Sequence, residues 1–347
     1  MVQKCFQNQL STNLTIGLRR PDGGVPEVRS FPVGHKQPGL IVILGPTASG
    51  KSALALDMAC RLNLPVLNAD SRQVYRGMDV GTAKATPAQQ RLAPHCLLDL
   101  RDPDQPMTVQ EFQALARQCI LHFHRRGITP LLVGGSGLYL AAITQGLCPP
   151  ALPPQPALRH QLTALGQSHC HGLLRCADPV AAHRIHPNDR VRTQRALEVI
   201  YGTGSAHSLQ QRRCPPTYPI LEIGLAPEDL HHRIRQRTAA MVAGGLLEET
   251  QQLIERFGPQ LPLLQTMGYR EACQLLMGRM DHQQAVAAMN RRTRQYAKRQ
   301  LTWFRGQHQP HWLTGAQAQR WHTITQDLRQ NIVDLVRKPT DSDPVSA

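Results

Sequence analysis

The sequence predicts an α/β fold: a parallel sheet covered by helices on both faces, with a mostly helical insertion. Three observations carry this. Short, wholly apolar runs alternate with helical stretches between residues 40 and 135. A glycine-rich turn of the form GxxxxGK[ST] joins the first such run to the first helical stretch. A proline-dense break, CPPALPPQP (148–156), then ends the alternation, and polar, helical sequence follows it. Apolar strands buried on both faces are what a helix-covered parallel sheet requires.

Taken in order, residues 1–38 are polar and punctuated by glycine and proline (PDGGVP, FPVGHKQPG), the pattern of a disordered leader. LIVIL (40–44) is the first core strand, and SALALDMACRL (52–62) is the first helix. LPVLNAD (64–70) is a second strand ending in an acid; HCLLDL (95–100) and TPLLVGG (129–135) are two more. VQEFQALARQCILHFHRRG (109–127) is the helix between the last two. Residues 147–217 form the insertion, rich in Arg, His and Gln. The core resumes at 218 with ILEIGL (220–225), a helix from about Pro227, further helices, and HWLTG (311–315) as the last strand. The core therefore comprises 39–146 and 218–320, and 321–347 is a tail.

Composition narrows the function. Apolar residues make up 41% of the 347, enough for a sizeable core, and aromatics only 4%, so that core is aliphatic. The net charge of +15 suggests a polyanionic partner: nucleic acid, an anionic membrane surface or a phosphorylated small molecule. No apolar run approaches the roughly 20 residues of a membrane span, and the first forty residues lack the compact apolar segment followed by small residues that a secretory signal carries. The nine cysteines are scattered, without a CxxC pair, which reads as reduced thiols in a cytoplasmic protein. His169, Cys170, His171 and Cys176 are crowded, but three adjacent donors do not easily converge on one tetrahedral ion.

The turn Gly45-Pro46-Thr47-Ala48-Ser49-Gly50-Lys51-Ser52 is a phosphate-binding loop in the required strand–turn–helix context. Its glycines permit close backbone approach, and successive N–H groups at a helix N-terminus surround a diphosphate. Lys51 would contact the outer phosphate, and the Ser52 hydroxyl would ligate Mg²⁺. Such a loop specifies a phosphate chain and not a reaction, so kinases, ATPases and diphosphate-using transferases all stay open. Asp70 ends the second strand, where parallel-sheet enzymes hold their ligands. It could accept a proton from a nucleophile or cap a helix. Asp99 could hold a metal through water or stabilise a turn; the structural role is preferred.

GPTASGKS, NADSRQVYRGMDVGTAKAT, APHCLLDLRDP and PLLVGGSGLYL, taken together and in order, resemble the tRNA dimethylallyltransferase family. So do DPVAAHRIHPNDRVRTQRALEV (178–199), HRIRQRTAAMVAGGLLEE (232–249), QTMGYRE (265–271) and TRQYAKRQLTWFRG (293–306). The resemblance spans roughly residues 40–315. It implies a P-loop kinase-like core whose loop holds dimethylallyl diphosphate. The implied reaction prenylates N6 of the adenosine 3′-adjacent to the anticodon, with the base flipped into the site. Carried over by residue, Asp70 is the base that accepts the N6 proton, and Thr47 lies near the scissile C–O bond. Arg237, or second Arg233, neutralises the departing diphosphate. Asp70, Ser71, Arg72 and Gln73 touch the target adenosine and its neighbours. Three positions depart from the family pattern: Ser52 stands where Thr is usual, Ser136 replaces the Thr that approaches tRNA, and Val191 replaces a Gln. Arg192, Thr193, Gln194 and Arg195 remain as expected RNA contacts.

MNRRTRQYAKRQLTWFRG (289–306) carries six cations and no acid. Arg291, Arg294, Lys298 and Arg305 fall near one helical face, with Ala297, Leu301 and Phe304 near another. Together with Arg299 this stretch reads as a phosphate-contacting helix. Gln265, Met267, Gly268, Tyr269 and Arg270 read as a loop reaching the anticodon arm. Tyr269 could stack on a base or pack in the core. The expected partners are the tRNA anticodon stem-loop and dimethylallyl diphosphate, the protein acting as a monomer with Mg²⁺. A small-molecule kinase or an RNA-stimulated ATPase is the alternative.

Overall fold

A computed structural model describes residues 38–150, 152–210 and 212–314. The leader, apart from Pro38, and the tail lie outside the described residues. The helices are α1 (Lys51–Leu62), α2 (Pro87–Leu92), α3 (Val109–His124), α4 (Gly137–Thr144), α5 (Pro156–Leu165), α6 (Gln167–Ala177), α7 (Pro179–Arg184), α8 (Arg190–Thr203), α9 (Leu230–Ala243), α10 (Leu246–Phe257), α11 (Tyr269–Leu276) and α12 (His282–Gln307). The strands are β1 (Leu40–Leu44), β2 (Val66–Asn68), β3 (His95–Cys96), β4 (Leu131–Gly134), β5 (Leu147–Cys148), β6 (Arg212–Arg213), β7 (Ile220–Leu225) and β8 (His311–Leu313).

Six strands form one sheet in the order β3-β2-β4-β1-β7-β8, every neighbouring pair parallel. β1 lies inside it, paired with β4 (Ile43 opposite Val133) and with β7 (Ile43 opposite Ile223). All five residues of β1 are buried, which is why LIVIL carries no polar position. Leu54, Ala55 and Met58 of α1 cover one face, packing on Ile41, Ile43, Val133 and Ile223. HCLLDL becomes a strand only at its first two residues, because Leu97 (φ 65°) and Asp99 (φ 52°) turn into the left-handed region. Periodicity does not announce such a bend in an apolar run.

The chain divides into two compact units, with breaks after Ala141 and after Pro216. The unit between them is helical, with one antiparallel pair, β5–β6. Its core gathers Leu162, Cys170, Leu174, Ala181, Ala182, Ile185, Ala196 and Leu197. Glu198, fully buried there, accepts a fork of bonds from Arg159 (2.6 and 2.8 Å), one from the Gln155 amide (2.8 Å) and one from Arg195 (3.2 Å). Among the described residues no helix is long and apolar enough to cross a membrane.

Candidate active site

Ligands of a parallel sheet gather at the carboxyl ends of its strands. Here β1 runs into the 45–52 loop, β2 into Asp70, and β4 into Gly134 and Gly135. Gly134 has no alternative at its position: a β-carbon there would lie 2.2 Å from the Ala69 carbonyl oxygen. In the loop, Gly45 (φ 149°) passes so close to β7 that a β-carbon would meet the Leu225 oxygen at 2.5 Å. Gly50 (φ 94°) turns the chain into α1. The Lys51 ammonium folds back onto the Pro46 carbonyl (2.6 Å), and the Ser49 hydroxyl is buried without a protein partner.

A cavity of about 330 Å³ opens beside this loop. Thr47, Lys51 and Ser52 line it from the loop, Asp70, Ser71, Arg72 and Gln73 from the end of β2, and Arg237 from α9. Gln265, Thr266 and Met267 line it from the loop before α11, and Arg292, Tyr296, Arg299 and Gln300 from α12. Its apolar wall is Ala55, Val66, Leu98 and Val133, with His95 beside them. Burial pulls the Lys51 pKa down to about 7; the nearby Arg237 adds to this and the Asp70 carboxylate opposes it. Burial also lowers Arg237, again against Asp70. Two desolvated cations therefore face one carboxylate across a space that can admit polyanionic charge.

Asp70 is half-buried. Its amide is held by the Asn68 side chain (3.0 Å), and its own Oδ1 accepts the Arg72 N–H (2.8 Å). Burial, helped by the Asp70 carboxylate and opposed by Arg72 and Arg299, pushes the Tyr296 phenol up to about 12. These groups share one electrostatic neighbourhood. Arg237 donates to the Thr82 carbonyl (3.0 Å), which also takes a bond from Gln73 (3.2 Å). Arg233 does not line the cavity; it is tied to Asp229 (2.7 Å) on the Gly50 side of the loop. Ser136 accepts the Ser71 amide (2.9 Å) and contacts its hydroxyl (3.1 Å), so it braces the residue after Asp70. Asp99 pairs with the buried Lys84 (2.6 Å).

Several expected RNA contacts need correction. Tyr269 is completely buried and donates its hydroxyl to Glu249 (2.6 Å), so it offers no ring for stacking. Thr193 and Gln194 are buried in the helical unit, bonded to Gln167 (3.1 Å) and Thr163 (3.0 Å). Arg195 is engaged by Glu198 and by the Leu152 carbonyl (2.8 Å). Arg192 is exposed, as are Arg190 and Val191. Gly268 opens α11 at φ 87°, with its amide bonded to Glu271 (2.9 Å), and Arg270 beside it is exposed. On α12, Arg291 and Lys298 are exposed and Arg294 is half-buried, but the cavity takes a different stripe of this helix. That stripe, Arg292, Tyr296, Arg299 and Gln300, follows i, i+4, i+7, i+8 spacing, the signal that could have found it.

The chain is similar to known proteins over most of its length. A family model described as IPP transferase matches residues 73–307. The chain is 60% identical over 281 residues to the tRNA dimethylallyltransferase of Synechococcus sp. (strain CC9605), covering 81% of this chain and 94% of that one. It is 51% identical over 284 residues to the enzyme of the same description from Synechococcus elongatus, covering 82% and 93%. Among solved structures, the full-length tRNA isopentenylpyrophosphate transferase of Bacillus halodurans superimposes with a TM-score of 0.64 at 36% identity, covering 87% of this chain and all of that one. A eukaryotic dimethylallyltransferase acting on tRNA does so with a TM-score of 0.72 at 27% identity, covering 88% and 81%. A phosphate loop, a carboxylate and a stripe of α12 cations meeting at one cavity, on this fold and at this identity, mean that the chain belongs to the tRNA dimethylallyltransferase (IPP transferase) family of prenyl-transferring enzymes.

Proposed function

We propose that the protein transfers the dimethylallyl group of dimethylallyl diphosphate to N6 of the adenosine 3′-adjacent to the tRNA anticodon, releasing diphosphate. The observation that carries this is the convergence of Thr47, Lys51, Asp70 and Arg237 on one cavity edged by Arg292 and Arg299. N6 is a weak nucleophile, because its lone pair is delocalised into the ring. Asp70 accepts the N6 proton as the N6–C1 bond forms and the allylic C1–O bond breaks. The electron pair of that bond leaves on the diphosphate, whose charge Lys51, Arg237 and the loop amides receive. Thr47 lies on the loop side of the breaking bond. A target atom inside a cavity implies that the adenosine is flipped out to reach it.

Mg²⁺ fits the donor set in one way. Among the described residues there is no group of three His, Cys, Asp or Glu side chains able to hold a metal ion. The Ser52 hydroxyl lines the cavity as one oxygen donor, and Mg²⁺ commonly fills its remaining positions with substrate phosphates and water. When bound, it would neutralise diphosphate charge. Arg72 and Gln73, Gln265 and Met267, Arg270, and the cations of α12 contact the anticodon loop; exposed Arg190 and Arg192 of the insertion take RNA phosphates. The enzyme works as a cytoplasmic monomer. Incubation with Mg²⁺, labelled dimethylallyl diphosphate and unmodified tRNA tests the reading. Label on N6 of that adenosine is expected; ATP hydrolysis without label transfer would replace it with the kinase or ATPase alternative.

A further inference from the structure

Gln300 holds two segments that the reaction needs in register. Its Oε1 accepts the Thr47 amide (2.8 Å), and its Nε2 donates to the Gly135 carbonyl (2.7 Å). It comes from α12, far from both in sequence, and is only 7% exposed. The two bonds use opposite ends of one planar amide, so the spacing between the phosphate loop and the end of β4 is set by the width of that group. The end of β4 continues into Ser136, which accepts the Ser71 amide beside Asp70. A single side chain thus links the loop carrying Thr47, through β4, to the segment carrying Asp70. Gly135 is shaped for this contact: a β-carbon there would lie 2.5 Å from the Gln300 nitrogen, whereas its backbone φ is one that alanine can adopt.

We infer that Gln300 is a positioning residue that fixes Thr47 and the phosphate loop relative to Asp70 during transfer. The inference rests on the proposed reaction. Gln300 acts through Thr47 and Gly135, and its effect belongs in the rate of transfer and not in the affinity for tRNA. Small misplacements of reacting groups reduce rate steeply while leaving remote binding contacts intact.

The test compares Gln300→Met, which keeps the volume and removes both bonds, with Gly135→Ala, which displaces the amide from the other side. A Gln300→Ala, Gly135→Ala double variant and its Gln300→Ala parent complete the set. The readouts are single-turnover transfer from dimethylallyl diphosphate, tRNA affinity by fluorescence anisotropy, and thermal unfolding. We expect each single variant to lose roughly tenfold or more in transfer rate with tRNA affinity within about twofold of the parent. We expect the double variant to be no slower than its slower parent, because both changes break one contact. Should Gln300→Met fail to fold, Gly135→Ala decides by the same criteria. Transfer within twofold of wild type in the folded single variants, a matching loss of tRNA affinity, or losses that multiply in the double variant would overturn the inference. Absence of transfer by the wild-type protein would refute the reaction itself and is distinguishable from all of these.

Discussion

Replacing Glu249 with alanine should destabilise the protein by about 3–5 kcal/mol, through donors left unpaired. Glu249 accepts from three successive amides, Asp79 (2.8 Å), Val80 (2.7 Å) and Gly81 (3.0 Å), and from the Tyr269 hydroxyl (2.6 Å). The Asp79 bond is exposed, so water can replace it. The other three are not, and Tyr269 is fully buried. Each donor that loses its partner away from water costs about 1–3 kcal/mol, which gives the total at the lower end of that range per group. Glutamine should recover only part: whichever way its amide faces, an NH₂ meets at least one backbone N–H that cannot turn to accept. Tyr269→Phe should cost about 1–2 kcal/mol alone and less in the Glu249→Ala background, where the hydroxyl is already an orphan. Urea unfolding followed by circular dichroism measures all four proteins, and Tm should fall by roughly 6–15 °C in the alanine variant. The same segment carries Thr82, which holds Arg237, so transfer should slow as well. A loss below about 1 kcal/mol for Glu249→Ala, or a Tyr269→Phe cost independent of background, would refute the reasoning.

Other outcomes follow from the charges. Lys51 titrates near pH 7 in the free protein, so above that pH diphosphate binding should take up a proton and weaken as pH rises; calorimetry in buffers of different ionisation enthalpy reads this directly. Since the unfolded chain holds that proton up to 10.5, Lys51 also makes stability rise with pH between 7 and 10.5, and Lys51→Met should flatten the rise. Glu198 is opposed by burial, but its bonds from Arg159, Gln155 and Arg195 prevail and hold its carboxyl below the usual 4.5. Its contribution is present above 4.5 and should be lost as pH falls through the lowered value, which an acid titration of the helical unit's circular dichroism would show and Glu198→Gln would abolish. Arg299→Ala should weaken tRNA binding about three- to tenfold and reduce the salt dependence by roughly one counterion, measured by anisotropy across a salt series.

What the sequence made legible follows physical range. The phosphate loop, β1 and Asp70 depend on local signals: a glycine pattern, an unbroken apolar run, an acid closing a strand. Spacing along α12 puts Arg292 and Gln300 on one face, but what that face meets, and the amides that Glu249 holds, lie far away in sequence and are announced by no local pattern. At Thr193 and Gln194 family resemblance points to RNA, whereas helical spacing and burial point inward. Thr193, Ala196, Leu197 and Ile200 follow i, i+3, i+4, i+7, which marks the buried face of α8. Sequence alone leaves Tyr269 open between base and core, and the nest of amides that makes Glu249 its partner is visible only in three dimensions.

The assignment of Asp70 as the base is the centre of the account. Single-turnover transfer of labelled dimethylallyl to unmodified tRNA, with saturating substrates and Mg²⁺, compares wild type with Asp70→Ala directly. Removal of a general base predicts a fall of roughly 10²–10⁴-fold in the transfer rate, with tRNA and diphosphate still bound. Transfer at the wild-type rate in the Asp70→Ala protein would contradict it.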